Sequence, residues 1–371
     1  MTTRKKYTFI DLFAGIGGFH TALHSVGAKC VFASELDRYA RLSYESNYAS
    51  IQPLLFKKNS KGEYLYFNED ITKANPDTIP DFDICCAGFP CQPFSVAGLK
   101  KGFDDTRGTL FFNIANIVRH KIQRGVPPKV LFLENVRGLK NHDNGRTLEV
   151  ILATLTELGY NYSYEVLNAK HFGVPQNRER LFIVAWYKEI IHVDNFQFPY
   201  GIALNESIIY DKKLLKLGTI PTKLSDILEP SETIDLSYTI SDKMWIGHQE
   251  RKKRNKQNGK GFGYSLFTVD SPYSSTISAR YWKDGSEILI DQSNIGKNPR
   301  LLTPVEAGRL QGYYIVGNGG GYVTTKKEKQ LEFRIVVSKK EAYKQFGNSV
   351  AVPVIKAITN EIFKQLISHI S

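Results

Sequence analysis

The sequence predicts an α/β fold: a doubly wound parallel sheet with a second, smaller and less regular domain. Three observations predict it. Short apolar strands alternate with helical periods through the first 200 residues. A Gly-rich turn joins the first strand to the first helix. After about residue 200 the rhythm stops, and residues 201–342 become richer in Lys, Gly, Ser, Thr and Tyr.

Tyr7-Thr8-Phe9-Ile10-Asp11-Leu12 reads as the first strand, because apolar and β-branched residues fill it and glycines follow. Residues 19–26 look helical, and Lys29-Cys30-Val31-Phe32-Ala33-Ser34 is a second strand that closes a βαβ unit. Further strands are read at 82–86, 129–133 and 180–185, with helices at 109–122 and 146–158 between them. Strand and helix alternating at this spacing imply parallel pairing. In the second half only short pieces such as Glu287-Ile288-Leu289-Ile290 read as strands, and Gly317-Asn318-Gly319-Gly320-Gly321 reads as an exposed loop. Residues 349–370 are helical again, and their apolar face is best partnered by the α/β domain. The expected division is therefore residues 1–200 plus 343–371 as one domain and 201–342 as the other.

A chain of 371 residues is long enough to bury a sizeable core, and 23% charged with 42% apolar residues is a globular composition. No apolar run approaches the roughly 18 residues of a membrane span. The N-terminus lacks a signal-peptide core, so a soluble cytoplasmic protein is expected, with no membrane partner. Cys30, Cys85, Cys86 and Cys91 show no C-x-x-C spacing, which argues against a zinc site and a disulfide framework; no metal is expected. The net charge of +12 suits a polyanionic partner. Residues 243–300 hold eleven Lys and Arg against five Asp and Glu, half of that excess. The densest part runs from Arg251, Lys252, Lys253 and Arg254 to Lys260. It is either a solvated helix end and loop or a set of phosphate contacts.

Four motifs carry chemistry. Asp11-Leu12-Phe13-Ala14-Gly15-Ile16-Gly17-Gly18 follows a strand and opens a helix, where glycine lets a ligand approach and helix N–H groups face it. Glu35 ends the next strand, where a carboxylate can accept ribose hydroxyls; the pattern suits a nucleoside-type cofactor. Gly88-Phe89-Pro90-Cys91-Gln92-Pro93-Phe94-Ser95 follows another strand and presents one cysteine between two stiffening prolines, a candidate nucleophile. Cys85 and Cys86, inside the strand, read as packing. Glu134 lies just past an apolar strand, where partial desolvation favours the protonated form and lets it act as a proton donor. Gln176-Asn177-Arg178-Glu179-Arg180 precedes a strand, and alternation puts Arg178 and Arg180 on one face.

Together these residues resemble the DNA (cytosine-5) methyltransferases, the S-adenosylmethionine-dependent enzymes common in bacterial restriction–modification systems. The blocks run in order through 11–19, 88–95, 132–136, 176–184, 300–313 and 345–354, and 102–112 is similar to the family's post-nucleophile loop and helix. The resemblance implies a Rossmann-like methyltransferase sheet with a target-recognition domain, S-adenosyl-L-methionine as cofactor and double-stranded DNA as partner, bound by a monomer. It implies that Phe13 stacks on adenine beside Ala14, Gly15 and Gly17. Glu35 holds the ribose, and Asp70 with Ile71 contacts the adenine edge; Pro90 and the Asn348-Ser349-Val350 turn complete the pocket. Cys91 is the implied nucleophile, Glu134 the group at N3, and Arg180 the donor to O2 of a flipped-out cytosine, with Arg178 beside it in the catalytic set. Ser95, Arg107, Arg251 to Arg254, Lys260, Thr276 and Arg280 are the implied DNA contacts, Thr276-Ile277 being similar to the recognition region's Thr-aliphatic signature. Segments 261–264 and 278–285 resemble those of members that methylate CC-containing palindromes.

Two inserts depart from the family pattern, at 55–67 and between Tyr313 and Tyr343. Three rivals are weaker. A tRNA cytosine-5 methyltransferase carries a Cys-Phe-Thr signature that is absent here. A catalytically silent relative would have lost Cys91, Glu134 or Arg180. A nicotinamide oxidoreductase leaves the Pro-Cys turn unexplained.

Overall fold

The computed structural model describes residues 7–90, 110–193, 196–203, 205–217, 219–220, 222–261, 263–317, 320–321 and 331–368. The chain divides into two compact units, Met1–Leu167 with Glu179–Pro199 and Ile355–Ser371, and Asn168–Arg178 with Tyr200–Val354. Relative to boundaries at 200 and 343, the short segment Asn168–Arg178 and residues 343–354 group with the second unit.

The first unit is built on a seven-stranded sheet. Its strands in chain order are β1 (Thr8–Leu12), β2 (Lys29–Ser34), β3 (Phe67–Asn68), β4 (Ile84–Gly88), β5 (Val130–Val136), β6 (Tyr160–Asn168) and β7 (Glu179–Tyr187). Across the sheet the order is β3-β2-β1-β4-β5-β7-β6. Neighbours from β3 to β5 run parallel, and β1, β4 and β5 are buried almost throughout, as expected of strands covered on both faces.

The sheet is not wholly parallel, which corrects the sequence expectation: β7 pairs antiparallel to β5. The reason lies in the connection 169–178, which holds only the 3-10 turn Ala169–His171. A parallel return needs a crossover of a dozen or more residues, usually a helix, and none is present there.

Helices α1 (Gly18–Ser25), α2 (Arg38–Tyr48), α3 (Leu110–Gln123) and α4 (Arg146–Glu157) connect the strands. Asp37 caps α2, accepting from the N–H groups of Tyr39 and Ala40. α3 turns Phe111, Phe112, Ile114, Ala115, Ile117 and Val118 inward at helical spacing, into a core that includes Leu131, Leu133, Leu181 and Ile183. The insert at 55–67 is folded too: a hairpin-like bridge between Lys58 and Tyr64 leads into β3, and Phe67 packs against Tyr44 and Phe56.

Among the described residues, the second unit has little regular structure. It contains α5 (Asp242–Gln257), α6 (Pro304–Leu310), α7 (Lys339–Asn348) and short two-residue strands. α6 starts in a capping box made by Thr303 and Glu306, and Glu306 also forms a buried two-point pair with Arg300. The final helix, α8 (Val352–Ser368), begins after a break at 349–351 where the sequence suggests one continuous helix from 349. Pro353, near its N-terminus, is tolerated there because the missing N–H belongs to the unbonded first turn.

Candidate active site

In the first unit, β1 ends in a turn whose backbone is left-handed at Phe13 (φ 56°), Gly15 (φ 55°) and Gly17 (φ 82°). A phenylalanine in that region is uncommon and costs on the order of 1–3 kcal/mol, which the surroundings must hold in place. They do: the Ala14 N–H bonds to Ser34 O at 3.0 Å, and the Gly15 N–H donates to Glu35 Oε2 at 2.7 Å. Glu35 Oε1 accepts the Asp37 N–H at 2.7 Å, so each carboxylate oxygen keeps lone-pair capacity for a further donor. Burial pushes the Glu35 carboxyl above its ordinary range, and the N–H bonds from Asp37 and Gly15 pull the other way. A Cβ on Gly15 would meet nothing within 4 Å, so the turn is open on that side.

Asp70 follows β3, whose Asn68 O accepts the Glu35 N–H at 3.1 Å. Its carboxylate caps the short turn Ile71–Lys73 and accepts from the Thr72 amide and hydroxyl; those bonds hold it below the usual carboxylate range. Ile71 is buried.

At the neighbouring strand ends, Gly88 of β4 stands opposite Glu134 of β5. A Cβ on Gly88 would lie 3.4 Å from Glu134 Oε2, so glycine lets the carboxylate reach the end of β4. Arg180 Nε meets Glu134 Oε1 at 3.2 Å. Both side chains are largely buried, and burial pulls the guanidinium pKa down while Glu134 opposes that shift. The next described residues after Gly88 are Phe89 and the exposed Pro90; Cys91, Ser95 and Arg107 lie outside the described residues. Asn135, which the motif reading passed over, donates from Nδ2 to Phe89 O at 2.8 Å and so pins the start of the Pro-Cys segment. Its signal was its place beside Glu134, at the end of a strand too apolar to carry an amide without a purpose.

Arg178 immediately precedes β7, which starts at Glu179. Within the second unit the buried Arg178 guanidinium donates to the carbonyls of Ile277 (3.3 Å), Gly347 (3.3 Å) and Ser349 (2.6 Å). Gln176 adds two ties, donating to Leu310 O at 2.9 Å and accepting the Ile277 N–H at 3.1 Å. Thr276 Oγ1 donates to Asn177 O at 2.6 Å. Ser349 and Val350 are buried, with Ser349 Oγ 2.8 Å from Tyr313 Oη, and Asn348 is exposed at the end of α7.

The basic run is the second half of α5 and the turn after it. Arg251 is engaged inside the unit, in an ion pair with Asp284 (3.0 Å) and a 2.9 Å contact with His248 Nδ1. Lys252 lies over the Tyr264 ring at 4.2 Å. Lys253, Arg254, Lys260 and Arg280 are exposed.

A family model described as C-5 cytosine-specific DNA methylase matches residues 7–364. The chain belongs to the C-5 cytosine-specific DNA methylases. This methylase is 47% identical over 367 residues to the type II methyltransferase M.NlaX of Neisseria lactamica, with 98% of both chains covered. It is 47% identical to type II methyltransferase M1.ScrFI of Lactococcus lactis subsp. cremoris, over 97% of this chain and 79% of that one. It is 37% identical to type II methyltransferase M.HhaI of Haemophilus parahaemolyticus, over 96% and 94%. Among solved structures, S. pombe Dnmt2 methyltransferase superposes with a TM-score of 0.69 at 20% identity, covering 97% of this chain and 99% of that one, which places the methylase in the same fold.

Proposed function

We propose that this methylase transfers a methyl group from S-adenosyl-L-methionine to C5 of a flipped-out cytosine in a specific double-stranded DNA sequence. We further propose that it protects that sequence from a partner restriction endonuclease in the bacterial cytoplasm, and that it acts as a monomer. The observation that carries the reading is the Glu134–Arg180 pair beside Gly88, three residues before Cys91.

The turn 13–17 fits the cofactor. Its open face at Gly15 leaves room for a ligand against the backbone, and Phe13, left-handed and partly packed against the core, is the candidate contact for the adenine. Glu35 retains acceptor capacity for ribose hydroxyls, with Ala14, Gly17, Asp70, Ile71, Pro90, Asn348, Ser349 and Val350 as further cofactor residues. The cofactor supplies an electrophilic methyl group on a sulfonium.

Cytosine C5 is too electron-poor to take that methyl unaided. The Cys91 thiolate adds to C6, and the C5–C6 π pair becomes available at C5 as an enamine. Glu134 gives a proton or hydrogen bond at N3 and Arg180 donates to O2, taking up the charge that develops on the ring. C5 would then bond to the methyl carbon as that carbon's bond to the sulfonium sulfur breaks and the electron pair leaves with S-adenosylhomocysteine. A base removes the C5 proton, and the pair from that C–H bond re-forms the C5–C6 double bond and expels the Cys91 thiolate. C6 is covered by stacking in a duplex, so the base must leave the helix first. Arg178, kept in the catalytic set, also holds the backbone at Ile277, Gly347 and Ser349. Lys253, Arg254, Lys260, Thr276 and Arg280 contact DNA.

The test is methylation of plasmid DNA by the purified enzyme, read by bisulfite sequencing. Marks confined to one short sequence support the reading; marks scattered without a consensus refute site specificity. Cys91→Ser must abolish turnover, and an active variant would refute the covalent route.

A further inference from the structure

The Gly-rich turn rests on a buried stack of polar aromatic residues that the chemistry above does not use. Tyr48, the last residue of α2, is fully buried, and its Oη donates to Gly17 O at 2.7 Å and lies 3.1 Å from Ile16 O. Thr21 Oγ1 stands 2.7 Å from the same hydroxyl. A Cβ on Gly17 would come within 2.4 Å of the Tyr48 ring, so the turn lies directly on it.

The ring is held from behind. The imidazole of His20 stacks on Tyr48, with centroids 4.0 Å apart and planes 8° from parallel. His20 Nδ1 is 2.8 Å from Tyr44 Oη, and Tyr44 Oη is 3.3 Å from Asp11 Oδ2. Asp11, His20 and Tyr44 are all fully buried. Where Tyr44 gives its one proton to Asp11, His20 Nδ1–H donates to Tyr44 Oη; where a protonated Asp11 donates to Tyr44, the tyrosine donates to His20 instead. Burial pushes the Asp11 carboxyl up and the His20 imidazole down, and both are consistent with a neutral network. Asp11 Oδ1 and His20 Nε2 have no hydrogen-bond partner among the described residues. Leaving two buried polar atoms unpaired costs about 1–3 kcal/mol each, so the arrangement is not explained by stability alone.

We propose that Tyr48, braced through His20 and Tyr44 by Asp11, is a positioning residue for the cofactor: it fixes the carbonyls of Ile16 and Gly17 so that the backbone of the turn meets S-adenosyl-L-methionine in one conformation. The proposal rests on the reading that the turn binds the cofactor. Tyr48 acts through the turn, and loss of its hydroxyl loosens the turn before the ligand arrives, so the ligand bears the ordering cost.

The test is steady-state methyl transfer by Tyr48→Phe with cofactor and DNA varied separately, beside equilibrium binding of S-adenosylhomocysteine. The expected result is a rise of about tenfold in KM for the cofactor and in Kd for S-adenosylhomocysteine. kcat at saturating cofactor and KM for DNA stay as in wild type. Thr21→Val, which removes the neighbouring hydroxyl at nearly constant shape, moves the same constants by about threefold and carries the test if Tyr48→Phe does not fold. Cofactor constants within twofold of wild type in a folded variant overturn the proposal, whatever happens to thermal stability. Phe13→Ala is the separate control: if it leaves cofactor binding intact, the reading of the turn itself has failed.

Discussion

Replacing Glu134 by Gln separates proton donation from hydrogen bonding at the candidate ring-binding site. Gln keeps the size of the side chain and an acceptor oxygen for Arg180 Nε, which stands 3.2 Å from Glu134 Oε1. It can donate a hydrogen bond but cannot pass a proton. Removing one partner of a fully buried ion pair costs about 3–5 kcal/mol. Here the side chains keep 10% and 18% exposure and an acceptor remains. The expected stability loss is therefore about 1–2 kcal/mol, read as a lower urea midpoint at unchanged slope. Removing a transition-state donor at a preorganised site costs about 10²- to 10³-fold in rate. Glu134→Gln should therefore lose about that factor in kcat, measured by transfer of labelled methyl groups to duplex DNA, with DNA affinity held. A variant that turns over within about threefold of wild type would remove Glu134 from the chemistry and leave it a structural partner of Arg180.

Lys253→Ala with Arg254→Ala should flatten the plot of log binding constant against log salt by about 1.8, at roughly 0.9 for each phosphate no longer neutralised. Arg251→Ala should leave that slope unchanged and lower the melting temperature, because Arg251 is bonded to Asp284 and His248; equal flattening by both variants would contradict the assignment. Gly347→Ala should cost about 3 kcal/mol in denaturant titrations, since its Cβ would fall 2.3 Å from the backbone of Ser278 and Ala279, which cannot rotate away; native-like stability would refute the packing. At Asp83, burial raises the carboxyl, but bonds from Lys129 and Thr8 outweigh it and leave it below its ordinary range. A depressed carboxyl stabilises the fold above its unfolded pKa of about 4 and loses that contribution as pH falls through the lower folded value. Asp83→Asn should therefore melt earlier than wild type at pH 7, with the gap closing below about pH 4; a gap unchanged at pH 3 would contradict this.

Much of the first unit was legible in the sequence because its candidate groups sit at strand ends, and the strands are short and plainly apolar. Glu134 and Glu35 could be placed from strand and turn alone. The partners of Arg178 could not, because the carbonyls it holds at Ile277 and Ser349 lie 99 and 171 residues along the chain. α2 was also missed, for a physical reason. Its buried face is Ala40, Ser43, Tyr44, Asn47 and Tyr48, so the helical period is present but two of its five inward residues are polar. The Tyr48 support beneath the Gly-rich turn was hidden with it. In the basic run, charge was visible but engagement was not, since Arg251 and Arg254 differ only in which neighbours the fold brings to them.

The interrupted course of the first unit has a consequence for its birth. Ile355, Ile358, Ile362 and Leu366 of α8 are fully buried, and Phe363 meets Tyr7 at 5.1 Å, yet this helix is separated from residue 199 by the whole stretch Tyr200–Val354. At a synthesis rate of about 5–20 residues per second, the ribosome needs on the order of ten to thirty seconds to cross that stretch. Through that interval the nascent sheet waits without its last helix, and Tyr7 without its ring partner. Slower translation between 200 and 354 would lengthen that wait.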